Sequence, residues 1–303
     1  MWKQKIGISL HDGFTVPAAE LINIVKAAGF DAVSPGTTNI YEVVKLAREK
    51  GLFVESLHAP FIGVDRMWSA EESVSTKVKQ EIFAALDCCI EYGIPVLVCH
   101  VWIGFDYTFD PTSLYFGNFD DLVAKAGRHG VKIAFENTEG IEYLHALMDR
   151  YEGNDTVGFC WDSGHEMCYN HSQDLLALYG DCLLVTHLND NLGIRRFDGS
   201  IFWTDDLHLL PYDGIIDWDD CIQRLKKAAK LDYLNFELNI GSKPDRHDND
   251  IYGKMSAEEY FSEAYKRACR IAYRYSNNIL LSSDKRGGNG RDDCKLPYPH
   301  PSL

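Results

Sequence analysis

A single-domain α/β fold, the (β/α)8 TIM barrel, is what the sequence predicts. Short β-rich apolar runs alternate with longer amphipathic stretches, the pattern of strand-helix units around a parallel sheet. Eight such units can be counted between Lys5 and Tyr275, which suits a closed barrel better than an open doubly wound sheet. No GxGxxG turn follows the first strand, which weakens the dinucleotide-binding alternative.

The strands are expected at KIGISL from Lys5, FDAVS from Phe30, LFVESL from Leu52, PVLVCHV from Pro95, VKIAFE from Val131, TVGFCWD from Thr156, CLLVTHL from Cys182 and YLNFEL from Tyr233. Between them run helical patterns such as AAELINIVKAAG, NIYEVVKLAREKG, SAEESVSTKVKQEIFAALDCCIEYG and DWDDCIQRLKKAAK. Several close on glycine, at Gly29, Gly51, Gly93 and Gly130, where a left-handed cap is needed before the next strand. The last helical pattern, SAEEYFSEAYKRACRIAYRY, ends near Tyr275. Beyond it come GGNG, several charges and three prolines without apolar periodicity. The barrel is therefore assigned to residues 1–280, and a mobile C-terminal tail to 281–303.

Composition narrows the partners. The 303 residues are 46% hydrophobic and 25% charged, an ordinary globular balance with enough chain for a sizeable core. Forty-five acidic against 30 basic residues give a net charge of -15, which would repel a phosphate backbone and disfavours nucleic acid. No apolar run approaches the roughly 20 residues of a membrane-spanning helix. The start, MWKQKIGISL, reads as a strand rather than a signal peptide, so a soluble cytoplasmic protein without a membrane partner is expected. The nine cysteines are scattered, odd in number and without a CxxC pair, as expected of reduced core fillers.

In a TIM barrel the chemistry sits at the carboxyl ends of the strands. There this sequence places His58 on strand three, His100 on strand four, Glu136 on strand five, Asp162 then His165 on strand six, His187 on strand seven and Glu237 on strand eight, while the long seventh loop adds Asp206 and His208. Singly, each is most simply a hydrogen-bonded polar group. Jointly, acids gathered at one rim repel one another unless cations neutralise them. Mixed imidazole and carboxylate donors suit Mn2+ or Zn2+ first and Co2+ or Mg2+ next, and the lack of cysteine ligands argues against a structural zinc site.

The motifs HAPF at His58, FENTEG around Glu136, WDSGH from Asp162 to His165, HLNDN at His187, DLHLLPYDGIIDW from Asp206 and FELN at Glu237 fall in order at the ends of the expected strands. Through them the chain resembles the xylose isomerase-like TIM barrel superfamily, which holds sugar isomerases and epimerases, related dehydratases and the endonuclease IV branch. The resemblance covers roughly Lys5 to Tyr275. It implies one divalent cation held by Glu136, Asp162, His187 and Glu237, with Glu136 and Glu237 as catalytic acid and base across the substrate carbon. The cation would hold the carbonyl and neighbouring hydroxyl while an enediolate forms. His165 would contact a substrate hydroxyl. It further implies, for endonuclease IV-like chemistry, additional metals on His58 and His100 and on His165, Asp206 and His208.

The expected activity is thus a metal-dependent isomerase or epimerase of a sugar, sugar phosphate or related polyol. A metal-dependent phosphodiesterase, a sugar-derivative dehydratase or lyase, and a noncatalytic binding barrel are the alternatives. After HAPF the chain continues IGVDRMWSAEES, without the polar, asparagine-bearing continuation of the DNA-repair branch, and HVWIGFDYTFDPTSLYF is aromatic and acidic rather than basic. Trp68, Trp102, Phe105 and Trp203 are candidate walls for a sugar face, although the same rings would serve to pack loops onto the barrel. Arg195, followed by Arg196, is a candidate substrate contact, and His11 and Asp12 point toward the same rim. The superfamily's frequent dimers and tetramers make a homo-oligomer an expected partner state.

Overall fold

The computed structural model describes residues 4–10 and 16–277. His11, Asp12 and the tail assigned to 281–303 lie outside the described residues. Strand β1 (Lys5–Leu10) leads into helix α1 (Ala18–Ala28), β2 (Ala32–Pro35) and α2 (Ile40–Glu49). The third predicted strand is split at Glu55 and Ser56 into β3 (Phe53–Val54) and β4 (Leu57–His58). Then come α3 (Glu72–Tyr92), β5 (Val96–His100), α4 (Gly117–His129), β6 (Lys132–Glu136), α5 (Ile141–Arg150) and β7 (Val157–Asp162). Two short helices follow, α6 (Ser163–Cys168) and α7 (Leu175–Tyr179), before β8 (Leu183–His187), α8 (Trp218–Leu225), β9 (Tyr233–Phe236) and α9 (Ala257–Ser276).

All strand pairs are parallel, in the orders β3-β2-β1-β9 and β4-β5-β6-β7-β8. Leu188 stitches the two arcs: its N–H donates to the Asn235 carbonyl at 2.9 Å and its own carbonyl accepts from the Glu237 N–H at 3.1 Å. With β3 and β4 consecutive on one segment, the ring closes into the barrel that the strand count predicts.

Period-two alternation sorts each strand into a helix-facing and an interior row. Leu97, Cys99, Ile133, Phe135, Phe159 and Trp161 join the large core between sheet and helices. Val96, Val98, Ala134, Cys160 and Val185 form a separate small cluster inside the barrel. One step further along the same interior rows stand His100, Glu136, Asp162 and His187. Register then fixes their height, because His100 pairs with Glu136 across β5 and β6, and Asp162 with His187 across β7 and β8.

That last pairing depends on a bulge. The β7–β8 register runs Phe159↔Leu183 and then Cys160↔Val185, skipping Leu184. Without the extra residue Asp162 would face Thr186; with it, His187 is brought level with the carboxylate.

Three of the four glycine caps expected from the sequence are present, while α2 is capped by Lys50 and Gly51 takes the left-handed conformation one residue later, φ 69°. Gly29, Gly93 and Gly130 each close a helix in the left-handed conformation. Gly29 is the most constrained, with φ +117° and an imagined Cβ only 2.6 Å from the Tyr265 ring. Gly29→Ala should therefore lower unfolding free energy by about 2 kcal/mol, the sum of strained φ and crowding. A urea midpoint equal to wild type would show that the cap relaxes freely.

Candidate metal centre

Glu136, Asp162, His187 and Glu237 each offer one ligand atom, and the four atoms lie within 4.8 Å of one another. Glu136, Asp162 and His187 are 0% exposed and Glu237 is 5% exposed. Their positions follow from the fold: three end consecutive strands at matched register, and the fourth stands just beyond β9, the strand that closes the ring.

His187 is the hub. Its Nδ1 lies 3.0 Å from Glu136 Oε1 and 3.1 Å from Glu237 Oε2. The other Glu136 oxygen, Oε2, faces His58 Nε2 at 3.3 Å and His100 Nε2 at 3.5 Å, outside hydrogen-bonding geometry. His58 donates from Nδ1 to the Ala59 carbonyl at 2.7 Å, which aims its Nε2 inward, and Phe61 stacks on His100 at 4.6 Å. Both histidines expected at the rim therefore converge on Glu136.

Asp162 is held at both oxygens. Oδ1 caps α6 by accepting the His165 N–H at 2.6 Å, and Oδ2 accepts from Asn189 Nδ2 at 2.8 Å. Asn137 accepts the Asp162 N–H at 2.8 Å and donates to the Asp162 carbonyl at 2.9 Å, while the Asn137 carbonyl accepts from His165 Nδ1 at 2.9 Å. Such neighbours orient a ligating carboxylate. The sequence motifs FENTEG and HLNDN contain Asn137 and Asn189, but nothing in their spacing distinguishes them from loop asparagines.

Beside this centre lies the second group of expected residues. Asp162, His165 and His208 bring ligand atoms within 4.8 Å of one another. Asp206 Oδ1 sits 2.8 Å from His208 Nε2 and 3.5 Å from His165 Nε2. His208 holds a left-handed backbone, φ 48°, and donates from Nδ1 to the Glu237 carbonyl at 2.9 Å, tying the seventh loop to the last strand end.

The electrostatics follow from burial among acids. Burial pushes the Asp162 carboxyl up to about 6 despite His165 beside it. Burial alone would raise Glu136, but His187 and His100 hold it well below the usual carboxylate range. Burial drives His100 down to about 3, so its imidazole is neutral. For His208 the same burial is outweighed by Asp206, and its value rises to about 9. Burial likewise opposes charge on His187, but Cys160, Glu237 and Glu136 raise it well above the ordinary histidine value. In the metal-free protein, protons on imidazoles thus balance the carboxylates.

The donor set fits a divalent cation. Three buried carboxylates and one imidazole share a space one ion wide, Glu136 Oε2 has no hydrogen bond among the described residues, and the donors are the hard and borderline atoms such ions prefer.

The aromatic and basic candidates divide between loop packing and the edge of the rim, where Trp203 stands 5.7 Å from the Lys243 ammonium. Trp68 is 6% exposed, donates from its indole to the Val101 carbonyl at 2.8 Å and packs against Phe116, Phe119 and Tyr143. Trp102 stacks on Tyr143 at 3.9 Å and donates to the Gly104 carbonyl. Arg195 is exposed on the seventh loop, and Arg196 lies over Phe202 at 4.5 Å. Phe105 contacts Tyr169 and Phe202, and Trp203 is 41% exposed beside Phe202. Two polar residues that sequence reasoning missed lie close by. Glu55, at the break between β3 and β4, is buried in the barrel interior, where burial pushes it up to about 8. Lys243, on the loop after β9, reaches Asp206 Oδ2 at 3.2 Å.

Comparison with known proteins agrees with this fold. Residues 22–251 match a family model described as xylose isomerase-like TIM barrel. An uncharacterized protein, y4fM, of Sinorhizobium fredii (strain NBRC 101917 / NGR234) is 32% identical over 216 residues, which are 66% of this chain and 60% of that protein. The chain thus spans about 60% of that relative's length. Among solved structures, the IOLI protein with a bound zinc atom superposes with a TM-score of 0.68 at 18% identity, covering 90% of this chain and 99% of that one. D-psicose 3-epimerase with D-tagatose, from Clostridium cellulolyticum H10, gives 0.67 at 14% identity, covering 90% and 100%. At these identities the structures speak for the fold. No helix of the described residues is long and apolar enough to cross a membrane.

Because its neighbours hold His187 above the ordinary histidine value, the imidazole keeps its proton to higher pH than a free one, and a bound cation must displace it. Metal uptake should release about one proton per ion, and apparent affinity should rise with pH up to that raised value, where the proton is already gone. Titration calorimetry in buffers of different ionisation enthalpy measures this; a buffer-independent heat would contradict the assignment.

Proposed function

Because the chain belongs to the xylose isomerase-like TIM barrel family, and because its rim sets two buried glutamates on either side of one histidine, we propose that it is a divalent-metal-dependent isomerase or epimerase of a sugar or related polyol. The observation that carries this reading is the pair of contacts from His187 Nδ1, 3.0 Å to Glu136 and 3.1 Å to Glu237. A binding protein has no need of two carboxylates opposed across one small space; a proton transfer between two faces of a carbon does.

Glu136, Asp162, His187 and Glu237 would hold the cation, which when bound supplies Lewis-acid polarisation of the substrate carbonyl. Mn2+ and Zn2+ suit these donors, and the bound zinc of the IOLI structure supports the second. One glutamate removes the proton on the carbon next to the carbonyl, and the other returns a proton to the resulting enediolate. His187 favours the ionised form of Glu136, and His58 and His100 line its Oε2 at 3.3 and 3.5 Å. His165 presents Nε2 toward the rim, its Nδ1 being tied to the Asn137 carbonyl, and can donate to a substrate hydroxyl.

The substrate that suits this rim is uncharged. Lys243, the cation beside Asp206, is engaged by that carboxylate, and Arg246 on the same loop by Asp205 and Asp248. Neither is left to clamp a phosphate. Phe61 and Trp203, both partly exposed, offer apolar faces on which a sugar ring can rest.

A phosphodiesterase reading draws on the further trios, His58 and His100 with Glu136, and His165 and His208 with Asp162. Cleavage of an abasic-site duplex by metal-loaded protein, lost on replacing His58 or His208, would favour it. For the isomerase reading, Glu136→Gln and Glu237→Gln should each cut solvent-deuterium incorporation into ketoses by at least ~100-fold with the fold intact. Metal content must be measured in the same samples, since both residues are also ligands. Undiminished exchange in either variant would remove that glutamate from the acid-base pair.

A further inference from the structure

The second group of rim residues has what one more divalent ion needs except for a free carboxylate. Asp162, His165 and His208 gather their ligand atoms within 4.8 Å, and Asp206 adjoins the two histidines. Asp206, however, already has a cation. Lys243 Nζ lies 3.2 Å from Asp206 Oδ2, and the same ammonium stands 5.7 Å from the centre of the Trp203 ring.

This lysine is built into place. Its side chain is only 18% exposed. The loop that carries it is pinned on both sides: Asn249 Nδ2 donates to the Leu207 carbonyl at 3.1 Å and to the Asn239 carbonyl at 2.8 Å. Arg246, itself 9% exposed, donates to the Thr204 carbonyl at 3.2 Å and pairs with Asp205 and Asp248. The segment holding Asp206 and the loop holding Lys243 are thus fastened together at the point where the two side chains meet, and the Trp203 face adds a cation-π contact to the ammonium.

We infer that the Lys243 ammonium takes the place of a second metal ion at Asp206, so that this chain carries a one-ion centre although it keeps the side chains of a larger cluster. Three physical effects point the same way. An ammonium has three donors and no lone pair, so it cannot become a ligand. It neutralises the carboxylate that a second cation would require. It also repels any dication placed between Asp206 and the two histidines, at a distance where a partly buried pair is little screened. The inference rests on the metal centre proposed above and adds its stoichiometry, a property that sets single-ion sugar chemistry apart from cluster hydrolysis.

Elemental analysis tests it on the full-length protein, stripped with chelator, reloaded with Mn2+ or with Zn2+ and desalted. Wild type and Lys243→Arg should hold about one equivalent and Lys243→Met about two, the second being lost again in Lys243→Met/Asp206→Asn. Circular dichroism confirms that each variant is folded, and Lys243→Gln substitutes for Lys243→Met if that protein is not. Two or more equivalents in wild type would overturn the inference, as would a folded Lys243→Met that stays at one. A folded wild type that holds none would remove the metal centre itself, and this inference with it.

Discussion

Three carboxylates packed into one buried space are the constraint on which the rest of this molecule depends. Two like charges about 4 Å apart repel by about 4 kcal/mol at the effective dielectric of a protein near its surface. Glu136, Asp162 and Glu237 make three such pairs with His187 among them. Natural folds are stable by only about 5–15 kcal/mol, so an arrangement of this kind persists only if something positive is held there. In the metal-free protein that role falls to imidazole protons: the neighbouring acids push His187 and His208 toward the charged form, while burial keeps His100 neutral. A divalent ion would supply two positive charges in the same space, and the four donor atoms lie close enough together to hold one.

The barrel supplies the positions by arithmetic of alternation and register. Interior rows of small residues, Val98, Ala134, Cys160 and Val185, end in His100, Glu136, Asp162 and His187, so each rim residue stands one pleat above a side chain that leaves it room. The Leu184 bulge converts what would have been a threonine into a histidine at the level of Asp162. Asparagines then fix the directions: Asn137 and Asn189 hold Asp162 from its backbone and from its carboxylate. Above the first centre, Asp206 and its histidines form a second, and Lys243 supplies its charge from the loop that leaves the last strand. On the proposed reading, one concentration of negative charge would take a divalent ion, while the other is met by the Lys243 ammonium.

Much of this was legible in the sequence because it is local. Period-two apolar runs mark strands, glycines mark where helices stop, and a strand end is one residue beyond a run, so Glu136, Asp162, His187 and Glu237 could be placed at one rim before their distances were known. What could not be read depends on contacts between distant segments. The interruption at Glu55 and Ser56 splits a run that reads as one strand. Asn137 and Asn189 look like ordinary loop polar residues until Asp162 is seen between them. Lys243 stands two residues before the charges DRHDND, with nothing in the sequence to mark it as facing the rim, and only the folding of that loop back over Asp206 turns it inward. Trp68 and Trp102 had two readings, and their indoles are engaged by the Val101 and Gly104 carbonyls and by the rings around Tyr143.

The central claim is that four side chains from distant parts of the chain hold one divalent ion. Anomalous diffraction from crystals of the zinc-loaded protein tests it most directly. The account predicts a strong peak inside the barrel mouth, with Glu136, Asp162, His187 and Glu237 each contributing an atom at about 2.0–2.2 Å. A peak coordinated by other residues, or well-occupied zinc nowhere near these four, would contradict it.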